Sequence, residues 1–357
     1  MYLNYTNLVA RRVLDERSCV VDDLPAICPQ KTGSTNINAQ TAEIQRHRNC
    51  GGKCLIFGGN RNKDCKIAQA TIAVSYVCLS PDVKVFQGAV AYGKAGLILE
   101  KVTDTATVEE ARRWVSLYIT AFDYPVEATK ANHLARLINR IKAMHPFVNL
   151  AITVNESLGE FHRKDFFDAN SAFAQSIIQE AIDRESTRES GAKLTVDAYM
   201  AARKDSIGLK SGLALSRSAV GLNIDSKLLD EPSVKGMEDA TVDLTIITND
   251  IYSYKKELAD DNDAHHNLLT VLMQQDPRLD LQGVIDCAGQ LFESALARFK
   301  ECRASIPSID EETDKMLATY AQWMVDIFVG GVEWSLVTPR YRVFDSEENR
   351  RKGLMAL

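Results

Sequence analysis

Long apolar runs are missing from this 357-residue chain, and so is an excess of basic residues. No stretch of about 18 or more apolar residues occurs, which predicts no transmembrane helix and no membrane partner. The 42 Lys and Arg are outnumbered by 48 Asp and Glu, and this balance argues against sequence-independent binding of nucleic acid. The first residues contain no apolar core with a small-residue cleavage site, so we expect no signal peptide and a cytoplasmic protein.

Paired cysteine motifs and phosphate-binding glycine loops are also absent. The eight cysteines are scattered, and without an export signal we expect them to be free thiols. His47, Cys50, Cys54 and Cys65 are candidates for a zinc knuckle, but their spacing matches no CxxC pair, which favours an irregular loop. The nearby Gly-Gly pairs do not complete a P-loop. A helical interaction protein with a zinc knuckle therefore stays open as an alternative, which stoichiometric zinc would support.

Alternating strand patterns are scarce, and from about residue 67 to 345 apolar residues recur at helical spacing. The sequence therefore predicts an all-α fold. We expect an irregular lead-in at 1–66, a helical bundle at 67–345 and a tail at 346–357. Helices are predicted at 84–103, 108–122, 128–145, 169–185, 195–206, 211–220, 236–259, 264–274, 281–303 and 310–337.

The segment NDIYSYKKE places three oxygen-bearing side chains at successive i, i+4 steps: Asn249, Ser253 and Glu257. On an α-helix these side chains form a stripe about 80° wide. An amide, a hydroxyl and a carboxylate suit a hard cation such as Mg²⁺, which binds few protein ligands and leaves room for phosphate oxygens. Lys256 lies beside the stripe and could neutralise a phosphate. The segment therefore predicts a helix that binds a diphosphate.

A solvated surface is the alternative interpretation, because such triplets commonly face water. The preceding residues argue against it, since Val242 and Ile246 lie on the same stripe, which therefore begins apolar and becomes polar. Such a helix face is typical of a cavity wall with a charged mouth.

Further candidate residues occur elsewhere in the chain. Glu100 and Asp104 are i, i+4 at the end of an apolar run and could supply facing carboxylates, although a helix end that meets water would look the same. Arg203 precedes a predicted helix break at Gly208. A second guanidinium and a phenol follow Pro339, at Arg340 and Tyr341. Cations at several places could converge on the phosphates.

These residues, in this order, resemble those of class I terpene synthases of the fungal, basidiomycete sesquiterpene type. The segment from Asn249 to Glu257 resembles the complete NSE metal-binding signature of that family. Arg203, 46 residues earlier, stands where the family has its diphosphate-sensing arginine. Arg340 and Tyr341 resemble its late Arg-Tyr pair, and the segment DAHHN at 263–267 resembles its turn after the metal helix. From the residues alone, the adjacent histidines 265 and 266 are interpreted as a turn cap.

The resemblance implies a single-domain class I terpenoid synthase bundle around a central apolar cavity. It implies three Mg²⁺ ions, with Mn²⁺ as an alternative, on Asn249, Ser253, Glu257, Glu100 and Asp104. It implies a catalytic set of Arg203, Lys256, Arg340 and Tyr341. It also implies cavity residues Ser206, Ile207, Gly208 and Trp334, with Tyr199 and Phe173 as weaker aromatic candidates.

The implied substrate is a prenyl diphosphate, with farnesyl diphosphate expected before geranyl diphosphate. The implied product is a sesquiterpene or a simple acyclic terpene alcohol, made by a monomer or homodimer. A chain-elongating prenyltransferase would need two Asp-rich motifs, and the chain has one altered version.

One departure from the family pattern keeps an alternative open. The first metal motif of the family begins with Asp and usually carries a second acid, whereas this chain has Glu100, Lys101 and Asp104 there. The extra methylene of Glu displaces its carboxylate by about 1 Å, which matters in a preorganised site. The aromatic residues that often precede the motif are replaced by Gly96-Leu97-Ile98-Leu99. A degenerate synthase with weak or no activity is therefore an alternative.

Overall fold

The computed structural model describes residues 2–4, 83–123, 145–191, 193–219, 221–261, 264 and 266–356. The candidate zinc ligands at positions 47–65 and most of the helix predicted at 128–145 lie outside these residues. Whether the chain divides at residue 66 therefore stays a prediction.

Helices make up nearly all of the described chain, and the predicted all-α fold is confirmed. The helices are α1 (Val83–Thr103), α2 (Val108–Asp123), α3 (His145–Ser157), α4 (Arg163–Ser190), α5 (Val196–Ser206), α6 (Leu209–Ala219), α7 (Ser226–Leu229), α8 (Pro232–Asp261), α9 (Leu268–Gln275), α10 (Leu281–Ala304), α11 (Glu311–Val337) and α12 (Glu347–Lys352). A 3-10 turn at Glu160–His162 precedes α4. Two short strands, β1 (Tyr2–Asn4) and β2 (Leu354–Ala356), pair antiparallel.

Local sequence signals explain most helix ends. Side chains at N-cap positions accept backbone N–H groups at the starts of α5, α9, α10 and α11, from Thr195, Asn267, Asp280 and Asp310 respectively. Pro232 occupies the first turn of α8, where a missing N–H costs nothing. The α9 helix was predicted to begin at residue 264, which is wrong, because Asn267 adopts an extended backbone and caps the helix instead.

Some predicted boundaries differ from the structure, and some helices were missed. The α4 helix runs from Arg163 to Ser190 instead of 169–185, and Gly191 ends it with a φ of 65°. No helix was predicted over most of α3, or at α7 and α12. Short helices such as α7 and α12 contain too few turns for apolar periodicity to show.

Among the described residues, two large groups of buried side chains form the core. One group surrounds α8, α10 and α11 and includes Ile246, Phe292 and Phe328. The other lies among α1 to α4 and includes Tyr118 and Phe147. Burial of one such side chain stabilises the fold by about 1.5–3 kcal/mol. Residues of both groups line one cavity, and this cavity contains the candidate site. No helix in the described ranges has the length and apolar character needed to span a bilayer.

Candidate active site

A cavity of about 510 Å³ lies between the two groups of buried side chains. Its volume falls within the range of about 300–1,000 Å³ that is usual for small-molecule sites. Helices α1, α4 and α8 form its walls, together with the α5–α6 junction and the segment after α11. All of the site residues predicted from the sequence border it: Glu100, Asp104, Arg203, Ser206, Ile207, Gly208, Asn249, Ser253, Lys256, Glu257, Trp334, Arg340 and Tyr341.

The α8 wall presents the amide, hydroxyl and carboxylate of Asn249, Ser253 and Glu257. Asn267 Nδ2 donates to Glu257 Oε2 at 2.9 Å. The Ser253 hydroxyl lies near enough to lower the pKa of Glu257, although burial and the Asp250 charge leave that pKa raised overall. Among the described residues, Ser253 Oγ is buried and has no hydrogen-bond partner of normal geometry. A buried hydroxyl oxygen in this state is suited to accept a further ligand.

Asn249 is held from two sides. Arg203 Nη2 donates to Asn249 Oδ1 at 3.3 Å, and Asn249 Nδ2 donates to the Tyr341 hydroxyl at 3.0 Å. The candidate arginine, metal ligand and phenol are therefore in direct contact. Arg340 lies over the Tyr341 ring, with its guanidinium carbon 6.0 Å from the ring centroid.

The Arg203 guanidinium is shared among several oxygen acceptors. It donates to Ser206 Oγ at 3.1 Å and to Asp250 Oδ1 at 3.2 Å, and it lies 3.6 Å from Glu180 Oε1. Burial would raise the pKa of Glu180, but His266 and Arg203 bring that pKa below its ordinary value. Glu180 is therefore an anion that borders the cavity.

The α1 wall presents Glu100 and Asp104. Burial and the neighbouring Asp104 charge raise the pKa of Glu100 to about 7. Burial also raises the pKa of Asp104, although this residue is largely exposed at the mouth, and Lys256 opposes the shift. Glu100 therefore needs a nearby cation to ionise fully at neutral pH. Lys101 also borders the mouth of the cavity.

The α4 helix fixes the end of the α1 wall. Arg184 Nη2 donates to the Thr103 carbonyl oxygen at 2.7 Å, and Glu185 Oε1 accepts the Val108 N–H at 2.9 Å. Arg184 itself borders the cavity. These contacts hold the turn between α1 and α2, which carries Asp104.

The two aromatic candidates differ in their placement. Phe173 borders the cavity, as do Tyr92 and Trp334. Tyr199 is fully buried and is not among the lining residues, because its hydroxyl donates to Asp250 Oδ2 at 2.5 Å inside the core. Its role as a cavity aromatic is therefore not supported by its position.

His266 was interpreted as a turn cap, and that interpretation is wrong for its side chain. The His266 ring packs 5.3 Å from the Tyr199 ring, and its Nδ1 lies 3.4 Å from Glu180 Oε1. Burial lowers the pKa of His266, although the neighbouring Glu180 charge opposes this shift. The His266 side chain therefore packs against residues of α4 and α5 instead of capping the turn.

The family model "Terpene synthase family 2, C-terminal metal binding" matches residues 102–298. The chain belongs to this family. Within it, the chain is 33% identical over 199 residues to sesquiterpene synthase 3 of Postia placenta, covering 56% of this chain and 52% of the relative. It is 34% identical over 176 residues to sesquiterpene synthase Agr1 of Cyclocybe aegerita, covering 49% of each. The chain thus spans about half the length of these curated relatives.

A solved structure supports the same fold. The linalool/nerolidol synthase of Streptomyces clavuligerus, in complex with 2-fluorogeranyl diphosphate, superposes with a TM-score of 0.63 over 84% of this chain and 98% of that one. Its sequence identity is 15%, so this similarity shows the fold alone. The resemblance to terpene synthases that the sequence suggested is confirmed at the level of family and fold.

The donor set fits the metal that the family description implies. Asn249, Ser253 and Glu257 supply oxygen donors only, and the buried Ser253 hydroxyl has no hydrogen-bond partner of normal geometry in the described chain. In the described ranges no three His, Cys, Asp or Glu side chains cluster as a metal site. A set with one carboxylate suits a hard cation that takes further ligands from phosphate and water.

Proposed function

We propose that the chain is a Mg²⁺-dependent terpene synthase that ionises an allylic prenyl diphosphate, with farnesyl diphosphate preferred to geranyl diphosphate. The observation that supports this most is one cavity with oxygen donors on α8, carboxyls on α1 and guanidinium groups between them. Products would be a sesquiterpene or an acyclic terpene alcohol, plus diphosphate. Three metal ions are proposed, with Mn²⁺ as a substitute.

The polar end of the cavity would hold the diphosphate. Arg203, Lys256 and Arg340 would neutralise its charge, and Tyr341 would donate a hydrogen bond to its oxygens. Arg203 is already oriented by Ser206 and Asp250, so its forked donor is fixed before substrate arrives. Fixed donors stabilise developing charge without reorganisation at the moment of reaction.

Asn249, Ser253 and Glu257 would hold metal on one wall, and Glu100 with Asp104 on the other. Bound Mg²⁺ supplies charge that makes diphosphate a better leaving group. Burial and the Asp104 charge raise the pKa of Glu100 to about 7, and a cation bound nearby would favour its ionised form.

The apolar part of the cavity would hold the prenyl chain. When the carbon–oxygen bond breaks, diphosphate leaves with the electron pair and an allylic cation remains. The rings of Phe173 and Trp334 border this space and could stabilise the cation through their faces. The cation is then quenched by loss of a proton or by addition of water, and the walls limit access of water.

Purified protein should be incubated with geranyl, farnesyl and geranylgeranyl diphosphates, in Mg²⁺ or in EDTA. Mass spectrometry of organic extracts should show a Mg²⁺-dependent terpene that disappears in Asn249→Ala and Glu257→Ala. Glu312→Ala, at an exposed position of α11, is the matched control and should retain the product. A product that survives in EDTA would contradict the proposal.

A degenerate synthase is the second candidate, because Lys101 borders the mouth beside Glu100. A cation at this position repels Mg²⁺ and reduces its occupancy. Under this alternative the natural sequence makes no product, and the double substitution Glu100→Asp with Lys101→Glu restores one. Product from the natural sequence would rule the inactive form out.

A further inference from the structure

Asn267 connects the turn after α8 to the candidate metal wall. It is fully buried, and its Nδ2 donates to Glu257 Oε2 and to the Asp250 carbonyl oxygen, each at 2.9 Å. Its Oδ1 accepts the Leu269 N–H at 2.9 Å and so caps α9. One amide therefore serves a helix start and a candidate metal ligand together.

The orientation of the Asn267 amide is fixed. A backbone N–H can only donate, so the bond from Leu269 requires oxygen on that side and places nitrogen toward Glu257. The residues on either side are anchored too, because the Leu268 N–H donates to Asp250 Oδ2 at 3.0 Å and the Tyr199 hydroxyl reaches the His266 carbonyl oxygen at 3.3 Å. The turn cannot move Asn267 without breaking these bonds.

Glu257 needs such a partner for a physical reason. Its side chain has several rotatable bonds, and the Asp250 charge on the same helix acts on it as a repulsive neighbour. Without a fixed donor, the carboxylate would be free to rotate. Partners that hold a metal-binding side chain in one orientation typically change metal affinity by about 10–100-fold when removed.

We propose that Asn267 is a positioning residue that holds one oxygen of Glu257 and reserves the other for a divalent cation. This inference rests on the proposed function, because it takes Glu257 as a metal ligand. Asn267 itself contacts neither metal nor substrate. It acts through Glu257 and links formation of the α9 start to the geometry of the metal wall.

The substitution Asn267→Ser tests the inference, because Ser caps helices about as well as Asn but lacks the amide nitrogen. Asp280→Ser is the matched control, since Asp280 caps α10 through the Gly283 N–H at 2.8 Å, away from the cavity. Mn²⁺ binding is measured by electron paramagnetic resonance in the presence of inorganic diphosphate. We expect Asn267→Ser to bind Mn²⁺ about 10–100-fold more weakly, and Asp280→Ser to bind it as the natural sequence does.

Further measurements separate positioning from a folding defect. Half-maximal turnover of Asn267→Ser should need more Mg²⁺, while its rate at saturating Mg²⁺ returns toward that of the natural sequence. If Asn267→Ser does not fold, Asn267→Thr keeps a capping hydroxyl and takes its place with the same expected result. Mn²⁺ affinity within about twofold of the natural sequence would overturn the inference, provided that Glu257→Gln loses binding. Unchanged binding in Glu257→Gln would overturn the metal wall and the inference together.

Discussion

Gly208, at the junction of α5 and α6, has too little room for a side chain. Gly208 has a φ of 70°, and its carbonyl oxygen accepts the Tyr92 hydroxyl at 2.9 Å. A Cβ at this position would lie 3.2 Å from the Tyr92 hydroxyl oxygen and 3.3 Å from Phe173 Cδ2. Gly191 has a similar φ of 65°, but a Cβ there would meet nothing within 4 Å. Both positions therefore require a left-handed backbone, but only Gly208 is too crowded for a Cβ atom.

The loss of folding stability expected at each position depends on its backbone angle and on the space around it. Placing a Cβ on left-handed backbone costs about 1–2 kcal/mol at either position. Crowding in a packed interior adds about 1–3 kcal/mol, and only Gly208→Ala incurs it. We expect Gly208→Ala to destabilise the fold by about 1–3 kcal/mol more than Gly191→Ala. Because Tyr92 and Phe173 border the cavity, terpene formation should also fall in Gly208→Ala alone.

Urea unfolding at 25 °C, followed by circular dichroism, measures both free energies of unfolding. The unfolded chain gains the same methyl group in each variant, so its contribution cancels in the difference. Equal destabilisation in the two variants would refute the steric reasoning. Full activity in Gly208→Ala would refute the claim that this junction shapes the cavity.

The buried charged residues should also respond measurably to substitution and to pH. In Mg²⁺, Arg203→Lys should bind inorganic diphosphate at least about tenfold more weakly than the natural sequence, because an ammonium cannot replace the forked donor beside Asn249. Calorimetry measures this affinity, and an unchanged value would contradict the prediction. Arg217→Met should lower the free energy of unfolding, measured in urea, by about 3–5 kcal/mol. Arg217 Nη1 donates to Glu238 Oε1 at 2.9 Å, and the substitution leaves that carboxylate without its cation. A decrease in unfolding free energy below about 1 kcal/mol would refute this prediction. In EDTA, the fold favours the protonated form of Glu100, because its pKa is about 7 in the fold against 4.5 ordinarily. Its stabilising contribution is therefore present below pH 4.5 and is lost as pH rises through about 7, by up to about 3 kcal/mol. Glu100→Gln should lack this pH dependence, and parallel curves of unfolding free energy against pH for the two proteins would exclude it.

Much of the fold could be predicted because helix periodicity is a local property. The stripe of Asn249, Ser253 and Glu257 was visible because it repeats every four residues within one helix. Their placement on one wall of a cavity follows from this local geometry. The roles of these residues stay predictions, whereas the all-α fold and the family are confirmed.

Residues that act across helices were missed. Glu180 and Arg184 lie one turn apart on α4, in a polar stretch that looks like a solvated face. Asp250 lies inside the metal motif, but its carboxylate points away from the stripe of Asn249, Ser253 and Glu257. There it accepts hydrogen bonds from the Tyr199 hydroxyl and the Leu268 N–H. Asn267 lay in a segment that was interpreted as a turn and as the start of the helix predicted at 264–274. These roles depend on contacts between residues distant in sequence, which periodicity cannot show.

The charge network around Arg203 has a consequence for how the chain folds. Arg203 contacts Asn249 and Asp250 at sequence separations of 46 and 47 residues, and it also reaches Glu180 on a third helix. None of these contacts can form until α4, α5 and α8 have come together, and such non-local contacts slow folding. Competence to bind diphosphate should therefore appear in refolding later than helical circular dichroism does.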